Sequence, residues 1–296
     1  MRAEIKKIEE MMEAAEYVTD PAIAMSVHLA MTLKKPLLIE GHAGVGKTEV
    51  AKVMAKMLET NLIRLQCYEG LDAAQALYEW NYPKQLLHIK LEESTSHSLT
   101  EKEAAIFSPP FLIKRPLLQA ISETGTPPVL LIDEIDRADE EFEAFLLEVL
   151  SEFQVTIPEI GTIKATQPPY VILTSNRIRE LSDALRRRCL YLWIDFPGFE
   201  KEVRIVTRKV PGVNERLARE ISRFMETVRT IRLAKVPGVA ETLDWAQALT
   251  SLHADHLDEE LVAETLGCVV KDAEDVKRLK RELATGGIAR FVAAQS

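Results

Sequence analysis

Residues 41–48, GHAGVGKT, constrain the fold of this chain more than any other segment, because they fit the pattern G-x-x-x-x-G-K-[ST] without a mismatch. An apolar segment over 36–40 precedes them, and a helical pattern over 49–58 follows. Glycines let the backbone curl so that successive N–H groups face phosphate oxygens, and the N-terminus of the next helix adds partial positive charge there. We therefore predict a phosphate-binding loop between a strand and a helix. The predicted nucleotide-binding residues are Gly41, His42, Ala43, Gly44, Val45, Gly46, Lys47, Thr48 and Glu49.

A loop of this kind works with a metal ion and an acidic partner. In the prediction, Lys47 reaches the β- and γ-phosphates of ATP, and Thr48 supplies a hydroxyl to Mg²⁺. The acidic partner is Asp133, which follows the apolar strand over 129–132 and would hold the ion together with Thr48. Glu134 would orient and deprotonate the attacking water. We assign it a separate role because adjacent strand residues point in opposite directions.

Two further polar residues follow the predicted strands. Asn176 comes after the apolar strand over 171–173, and its amide could reach the γ-phosphate or the attacking water. An ordinary turn asparagine is the alternative. For Asp136, close behind Glu134, a surface role is at least as favoured as a catalytic one.

Short apolar segments alternate with helical patterns over residues 36–196, which predicts an α/β fold with a parallel sheet flanked by helices. The predicted strands cover 37–39, 62–65, 129–132, 171–173 and 190–194. After Asp-Phe-Pro-Gly at 195–198, the spacing is helical throughout. We predict an α/β nucleotide-binding domain over 1–197, with N-terminal helices, and a small all-helical domain over 198–296. Asp20 is expected to cap a helix that begins at Pro21.

Charge and cysteine content exclude several classes of protein. Lysine and arginine number 37 and aspartate and glutamate 46, so the formal net charge is −9, which disfavours a constitutive nucleic-acid binder. The 3 cysteines form no CxxC pair, so we expect no disulfide scaffold and no structural zinc. The sequence shows no secretory signal and no charge-free apolar run of roughly 18 residues, so we expect a cytoplasmic protein. Residues 92–103 are polar and predict a mobile loop.

The phosphate loop, the Asp-Glu pair and the strand-end asparagine together resemble those of AAA+ ATPases. The resemblance covers essentially the whole chain, as an α/β core followed by a helical lid. Within that family the chain is similar to the MoxR group, above all over 150–158, which in the family forms a hairpin just before the asparagine strand. Segments over 41–52, 64–87, 131–159 and 173–197 resemble CoxD-type ATPases. Those are associated with maturation of the molybdenum–copper centre of carbon monoxide dehydrogenase.

The resemblance implies further roles. Asn176 takes the sensor-1 position, and Arg188 aligns best with the arginine finger that reaches the ATP of a neighbouring subunit, with Arg187 as the alternative. It also implies a homo-oligomeric ring, expected to be a hexamer, a partner with a von Willebrand factor A domain, and a molybdenum hydroxylase as client. AAA+ lids often carry a sensor-2 arginine, but the segment 238–245 contains none. We therefore assign no residue to that role.

These observations predict a Mg-dependent, ATP-hydrolysing ring that remodels a client protein. The alternative is a nucleic-acid-stimulated AAA+ motor subunit with a basic groove. The net charge argues against it, although the three consecutive arginines at 186–188 keep it open. A nucleotide-dependent scaffold with little turnover is a third possibility, which the presence of Glu134 and Asn176 disfavours.

Overall fold

The computed structural model describes residues 2–91 and 105–292, so the mobile loop predicted over 92–103 lies outside the described residues. The chain forms two compact units. The core unit comprises Met1–Met11, Asp20–Glu40 and Thr48–Leu192, and the helical unit comprises Met12–Thr19, Gly41–Lys47 and Trp193–Ser296. The phosphate loop as far as Lys47 therefore belongs to the helical unit. The domain boundary between 197 and 198 stays a prediction.

The helices and strands alternate along the first two thirds of the chain. The strands are β1 (Leu37–Gly41), β2 (Leu62–Gln66), β3 (Tyr78–Trp80), β4 (Leu112–Lys114), β5 (Val129–Asp133), β6 (Gln154–Ile157), β7 (Gly161–Lys164), β8 (Tyr170–Ser175) and β9 (Leu190–Ile194). The helices are α1 (Arg2–Ala14), α2 (Pro21–Leu33), α3 (Lys47–Met57), α4 (Ala73–Leu77), α5 (Tyr82–Leu91), α6 (Pro116–Ser122), α7 (Glu140–Glu152), α8 (Asp183–Arg188), α9 (Phe199–Lys209), α10 (Glu215–Thr230), α11 (Val239–Ser251), α12 (Glu259–Val269) and α13 (Ala273–Val292).

Five strands form one sheet in the order β2-β5-β8-β1-β9. The pairs β2–β5, β5–β8 and β1–β8 are parallel. The predicted parallel sheet flanked by helices is confirmed, and each of the five predicted strands lies in it. Strands β1 and β5 are buried along their whole length, because apolar side chains on both faces are covered by other elements.

The strand register collects polar side chains at one edge of the sheet. Gln66 at the end of β2 lies opposite Asp133 at the end of β5, and Glu40 near the end of β1 lies opposite Ser175 at the end of β8. Parallel strands present their carboxyl ends at the same edge, which is where α/β proteins bind ligands. We call this edge the carboxyl edge and the opposite one the amino edge.

Local signals in the sequence explain where several elements begin. The Asp20 carboxylate accepts a hydrogen bond from the Ile23 N–H at 3.0 Å, so the predicted cap of α2 is confirmed. The Asp139 carboxylate caps α7 in the same way, by accepting from the Phe142 N–H at 2.8 Å. Strands β6 and β7 form an antiparallel hairpin directly before β8, as the family resemblance implies.

The helical unit has its own hydrophobic core. Phe224 lies at its centre, with ring-centroid distances of 4.9 Å to Trp245 and 5.1 Å to Phe291. The buried indole N–H of Trp245 donates to the Thr265 hydroxyl at 2.8 Å, so burial of the ring leaves no polar atom unsatisfied. The helical pattern predicted after 198 is confirmed. None of the helices in the described parts of the chain combines the length and the apolar character that crossing a membrane requires.

Candidate active site

The lysine of the phosphate loop is hydrogen-bonded to backbone carbonyls of the same loop. Lys47 is only 7% exposed, and its ammonium group donates to the carbonyl oxygens of Gly41 at 2.8 Å and His42 at 2.6 Å. A buried ammonium group is costly unless it is hydrogen-bonded, and these loop carbonyls supply the bonds. The lysine is thus held at the loop, and its predicted contact with the β- and γ-phosphates stays a prediction.

The loop also contacts the N-terminus of α11 through backbone atoms. The Gly44 carbonyl accepts hydrogen bonds from the N–H groups of Val239 at 2.9 Å and Ala240 at 3.2 Å. Gly44 has a φ of 76°, a left-handed conformation that glycine adopts without strain. These bonds satisfy two N–H groups of the first helical turn, which have no partner inside the helix. The segment that lacks a sensor-2 arginine therefore contacts the loop by its backbone.

Replacing Gly238 with alanine is expected to disturb this contact. A Cβ atom there would lie 2.6 Å from the Ala43 carbonyl oxygen and 2.9 Å from two backbone atoms of Gly44, so the backbone must move. We expect the free energy of unfolding to fall by about 1–3 kcal/mol and ADP affinity to weaken. Urea unfolding and ADP titration measure the two effects. Gly267→Ala on α12 is the matched control, because nothing lies within 4 Å of its added Cβ, and it should be neutral or stabilising.

His42 of the loop packs on a fixed aromatic support. Its ring stacks on Phe196 with a centroid distance of 4.6 Å and an interplanar angle of 9°. The Arg229 guanidinium lies 4.8 Å from the centroid of the Phe196 ring and forms a buried bidentate ion pair with Glu202, at 2.6 and 2.7 Å. A guanidinium held by two parallel hydrogen bonds has little freedom to move. Sequence reasoning missed this support, because Glu202 and Arg229 lie on different helices.

Asp133 is the most heavily hydrogen-bonded carboxylate at the carboxyl edge. It is 3% exposed and accepts hydrogen bonds from Thr48 Oγ1 at 3.0 Å, Thr174 Oγ1 at 2.5 Å and Arg64 Nη2 at 2.5 Å. A carboxylate beside a hydroxyl offers the hard oxygen ligands that Mg²⁺ prefers. The structure thus brings the two predicted metal ligands, Thr48 and Asp133, into contact, and their oxygens fit a magnesium site.

Glu134 lies beyond the end of β5. Its backbone is left-handed, with φ 55° and ψ 49°, and the short 3₁₀ helix Ile135–Arg137 follows. The expectation that strand alternation separates it from Asp133 is therefore wrong, because a backbone turn separates them. The Glu134 carboxylate pairs with Arg137 Nε at 2.6 Å and accepts from Gln66 Nε2 at 3.2 Å. The carboxylate predicted to be the general base therefore already accepts hydrogen bonds from two residues of its own chain.

Asp136 is buried, so of the two roles that the sequence left open for it the surface role is wrong. It is 2% exposed, and its Oδ2 accepts from the N–H groups of Asn176 at 3.0 Å and Ile178 at 2.9 Å. A buried carboxylate that accepts two backbone N–H bonds fixes the loop that donates them. Asp136 therefore positions the backbone of Asn176 at the end of β8. Asn176 itself is partly buried there.

Sequence reasoning also missed Arg64. The signal was present, because Arg64 and Gln66 are polar residues in the otherwise apolar strand β2. The sequence does not reveal that β2 pairs with β5. This pairing brings the Arg64 guanidinium into contact with the Asp133 carboxylate. Arg64 thus supplies positive charge to the same carboxylate that would bind Mg²⁺.

We expect Arg64→Gln to have opposite effects in the absence and presence of metal. In EDTA the free energy of unfolding should fall by about 1–2 kcal/mol, because buried Asp133 loses its counter-ion while Arg64 itself is half exposed. Mg²⁺ should then support ADP binding at lower concentration, because it no longer competes with Arg64. Urea unfolding in EDTA and a Mg²⁺ titration of ADP binding measure the two effects.

Arg115→Gln is the control, because its ion pair with Glu79 is exposed on both sides. Equal Mg²⁺ requirements in wild type and Arg64→Gln would contradict the competition.

The predicted finger residues lie away from this cluster. Arg187 and Arg188 are exposed at the end of α8, and the Leu190 N–H just after them donates to the Pro36 carbonyl at 2.8 Å. Pro36 precedes β1, so these arginines lie at the amino edge, whereas Asp133 lies at the carboxyl edge. The start of α8 is held by buried Glu143, which accepts from the Ser182 N–H at 2.9 Å. Glu49, in the first turn of α3, pairs with Lys52 at 3.1 Å.

A glycine-rich loop between β1 and α3, followed by a hydroxyl that contacts a buried strand-end aspartate, defines a P-loop nucleotide-binding protein. Residues 36–189 match the AAA domain family (dynein-related subfamily), and the chain belongs to this family. The parallel sheet flanked by helices, with a C-terminal helical region, is the AAA+ fold that the sequence predicts.

Several proteins of known sequence or structure are similar to this chain. The chain is 22% identical over 214 residues to the denitrification regulatory protein NirQ of Pseudomonas aeruginosa, across 70% of this chain and 72% of NirQ. It is 24% identical over 221 residues to an uncharacterized protein of Staphylococcus epidermidis, across 72% and 75% of the two chains. A proline-to-glycine mutant of Thermotoga maritima RuvB matches with a TM-score of 0.52 at 18% identity, across 99% of this chain and 79% of RuvB. The structural likeness shows the fold.

Proposed function

We propose that the protein hydrolyses ATP with Mg²⁺. The observation that carries this proposal is the contact between Thr48, the last residue of the phosphate loop, and buried Asp133, with Glu134 next in sequence. Lys47 binds the β- and γ-phosphates, and Thr48 and Asp133 hold Mg²⁺, which supplies positive charge to the phosphate oxygens. Glu134 accepts the proton of the attacking water, and Asn176 orients that water.

The Glu134 carboxylate keeps one oxygen for the attacking water in this proposal. Arg137 and Gln66 both bond to its Oε2, which orients the carboxylate and leaves Oε1 to accept the proton. An exposed Arg188 at the opposite edge of the sheet is free to reach a nucleotide held by another copy of the chain. Turnover therefore depends on assembly, in a ring that we propose to be a hexamer.

We further propose that the ring remodels a client protein, as a MoxR-type ATPase with a partner that carries a von Willebrand factor A domain. Similarity to NirQ, a denitrification regulatory protein by name, supports a regulatory ATPase. The sequence similarity to CoxD-type ATPases supports a molybdenum hydroxylase as client and maturation of its metal centre as the purpose. A cytoplasmic location follows from such a client.

A pull-down with a hydrolysis-deficient variant tests the whole proposal. Tagged Glu134→Gln protein, isolated with Mg-ATP from its native host, should retain ring, partner and client together, because ATP stays bound. Lys47→Ala is the control, because it removes the cation that binds the phosphates. Recovery of a von Willebrand-type protein or a molybdenum hydroxylase subunit, lost in the control, supports the chaperone. Recovery of DNA or a nuclease subunit instead overturns it in favour of the nucleic-acid motor.

A further inference from the structure

The amino edge of the core unit contains a cavity that the proposed function does not explain in full. It has a volume of about 490 Å³, within the range of ligand pockets. Two pairs of cations line it: Lys34 and Lys35 just after α2, and Arg187 and Arg188 at the end of α8. The hydrogen bond between Leu190 and Pro36 joins the two segments. The four cations are therefore brought together by the fold rather than by proximity in sequence.

None of these four side chains forms an ion pair or a hydrogen bond within residues 2–91 and 105–292. Nor does any aspartate or glutamate of those residues line the cavity. Burial raises the pKa of the Cys189 thiol, also in the lining, to about 12, so it stays neutral and offsets none of the positive charge. This arrangement is unusual in a chain with a formal net charge of −9, where carboxylates outnumber cations.

The ends of two helices supply only part of the missing negative charge. Lys34 is the C-terminal cap of α2, and Arg188 is the last residue of α8. Each helix C-terminus carries roughly −0.5 of an elementary charge, so two of them give about −1 against four full positive charges. Water and salt screen part of the remaining repulsion, because all four residues are exposed, and a bound anion would remove more of it. The cavity is therefore suited to a ligand with several negative charges.

The nucleotide of the same chain is too far away to be that ligand. Strand β1 runs from the cavity, beside Pro36, to the phosphate loop, and its five residues at about 3.3 Å each span about 16 Å. A polyanion at the amino edge must therefore come from another molecule. Arg188, the predicted finger, lines the same cavity, which indicates where that molecule's phosphates would lie.

We propose that Lys34 and Lys35 bind, together with Arg187 and Arg188, the phosphates of a nucleotide held in the phosphate loop of a second copy of this chain. The inference rests on the proposed ATP hydrolysis. It adds Lys34 and Lys35 to the predicted finger arginine as residues that act on the nucleotide of a neighbouring subunit. The lysines complement the phosphate charge from the side opposite to the neighbour's own Lys47 and Mg²⁺. They contribute to turnover in the neighbour and not to nucleotide binding in their own subunit.

The test uses complementation between two defective variants of the full chain. One is the double variant Lys34→Asn and Lys35→Gln, in which asparagine suits the left-handed backbone of residue 34, φ 51°. The other is Glu134→Gln, which keeps both lysines. Alone, the double variant should lose at least about 10-fold in turnover, its dissociated subunits should bind ADP as the wild type does, and Glu134→Gln should be inactive. The matched control is the double variant Lys6→Gln and Lys7→Gln, which removes the same charge from an exposed adjacent pair.

The two proteins carry different tags, are expressed together, and are purified through both tags, so that only mixed assemblies are assayed. In a ring assembled at random, about one site in four combines an intact Glu134 with intact lysines of its neighbour, so turnover should reach about a quarter of wild type. Turnover no higher than the average of the two separate proteins overturns the inference. Weaker ADP binding by dissociated subunits of the double variant also overturns it, because the lysines would then act within their own subunit. A wild-type protein without turnover instead refutes the proposed ATP hydrolysis itself.

Discussion

Replacing Glu134 with glutamine is expected to lower the rate of phosphate release from ATP by at least about 100-fold and to leave ATP binding nearly unchanged. General-base catalysis by a positioned carboxylate contributes typically ~10²–10⁴-fold, and a neutral amide cannot take the proton. The amide keeps the shape of the side chain and can still bond with Gln66. The phosphate loop and Asp133 are untouched by the change, so the affinity for ATP should remain within a few-fold of wild type.

Two measurements separate these effects. Steady-state phosphate release reports the chemical step, and equilibrium titration with a fluorescent ATP analogue reports binding. Glu141→Gln is the matched control, because Glu141 is an exposed carboxylate in the first turn of α7 and should retain full turnover. A Glu134→Gln protein that hydrolyses ATP within about three-fold of wild type would show that another group activates the water.

The strands and the phosphate loop were predictable because their signals are local. β1 and β5 are short apolar segments bounded by polar residues, and burial on both faces is what such segments require. The loop motif fixes Lys47 relative to Gly41 over a few residues of chain. Asp20 and its helix are a further case, because a cap and a proline at the first helical position act within one turn.

The partners of the site residues were not predictable, because they depend on strand order and backbone turns. Arg64 reaches Asp133 only because β2 pairs with β5 across more than sixty residues of chain, and nothing in either segment specifies that pairing. The sequence left Asp136 open between a surface and a catalytic role, because the two N–H groups that bond to it belong to the loop after β8, about forty residues away. The left-handed backbone of Glu134 could not be predicted for a different reason, because glutamate has no preference for that conformation.

Replacing Arg188 with alanine is expected to have the largest effect on turnover, a loss of at least about 1,000-fold, with ATP affinity little changed. A guanidinium that reaches the transferring phosphoryl group stabilises charge that develops only in the transition state, and such fingers contribute ~10³–10⁵-fold. Arg188 is exposed and lies at the amino edge, remote from Asp133, so its loss should not disturb the metal ligands.

The three arginines at the end of α8 provide matched controls for this prediction. Arg186→Ala should retain turnover, because the Arg186 guanidinium lies 6.0 Å from the centroid of the Tyr191 ring and Arg186 is absent from the cation-lined cavity. Arg187→Ala should lose less than Arg188→Ala. Turnover per wild-type subunit should rise with protein concentration, because each site is completed by a neighbour, and that rise should disappear in Arg188→Ala. If Arg187→Ala shows the larger loss, the finger is Arg187, and if neither loses more than about 10-fold, hydrolysis does not depend on an arginine of α8.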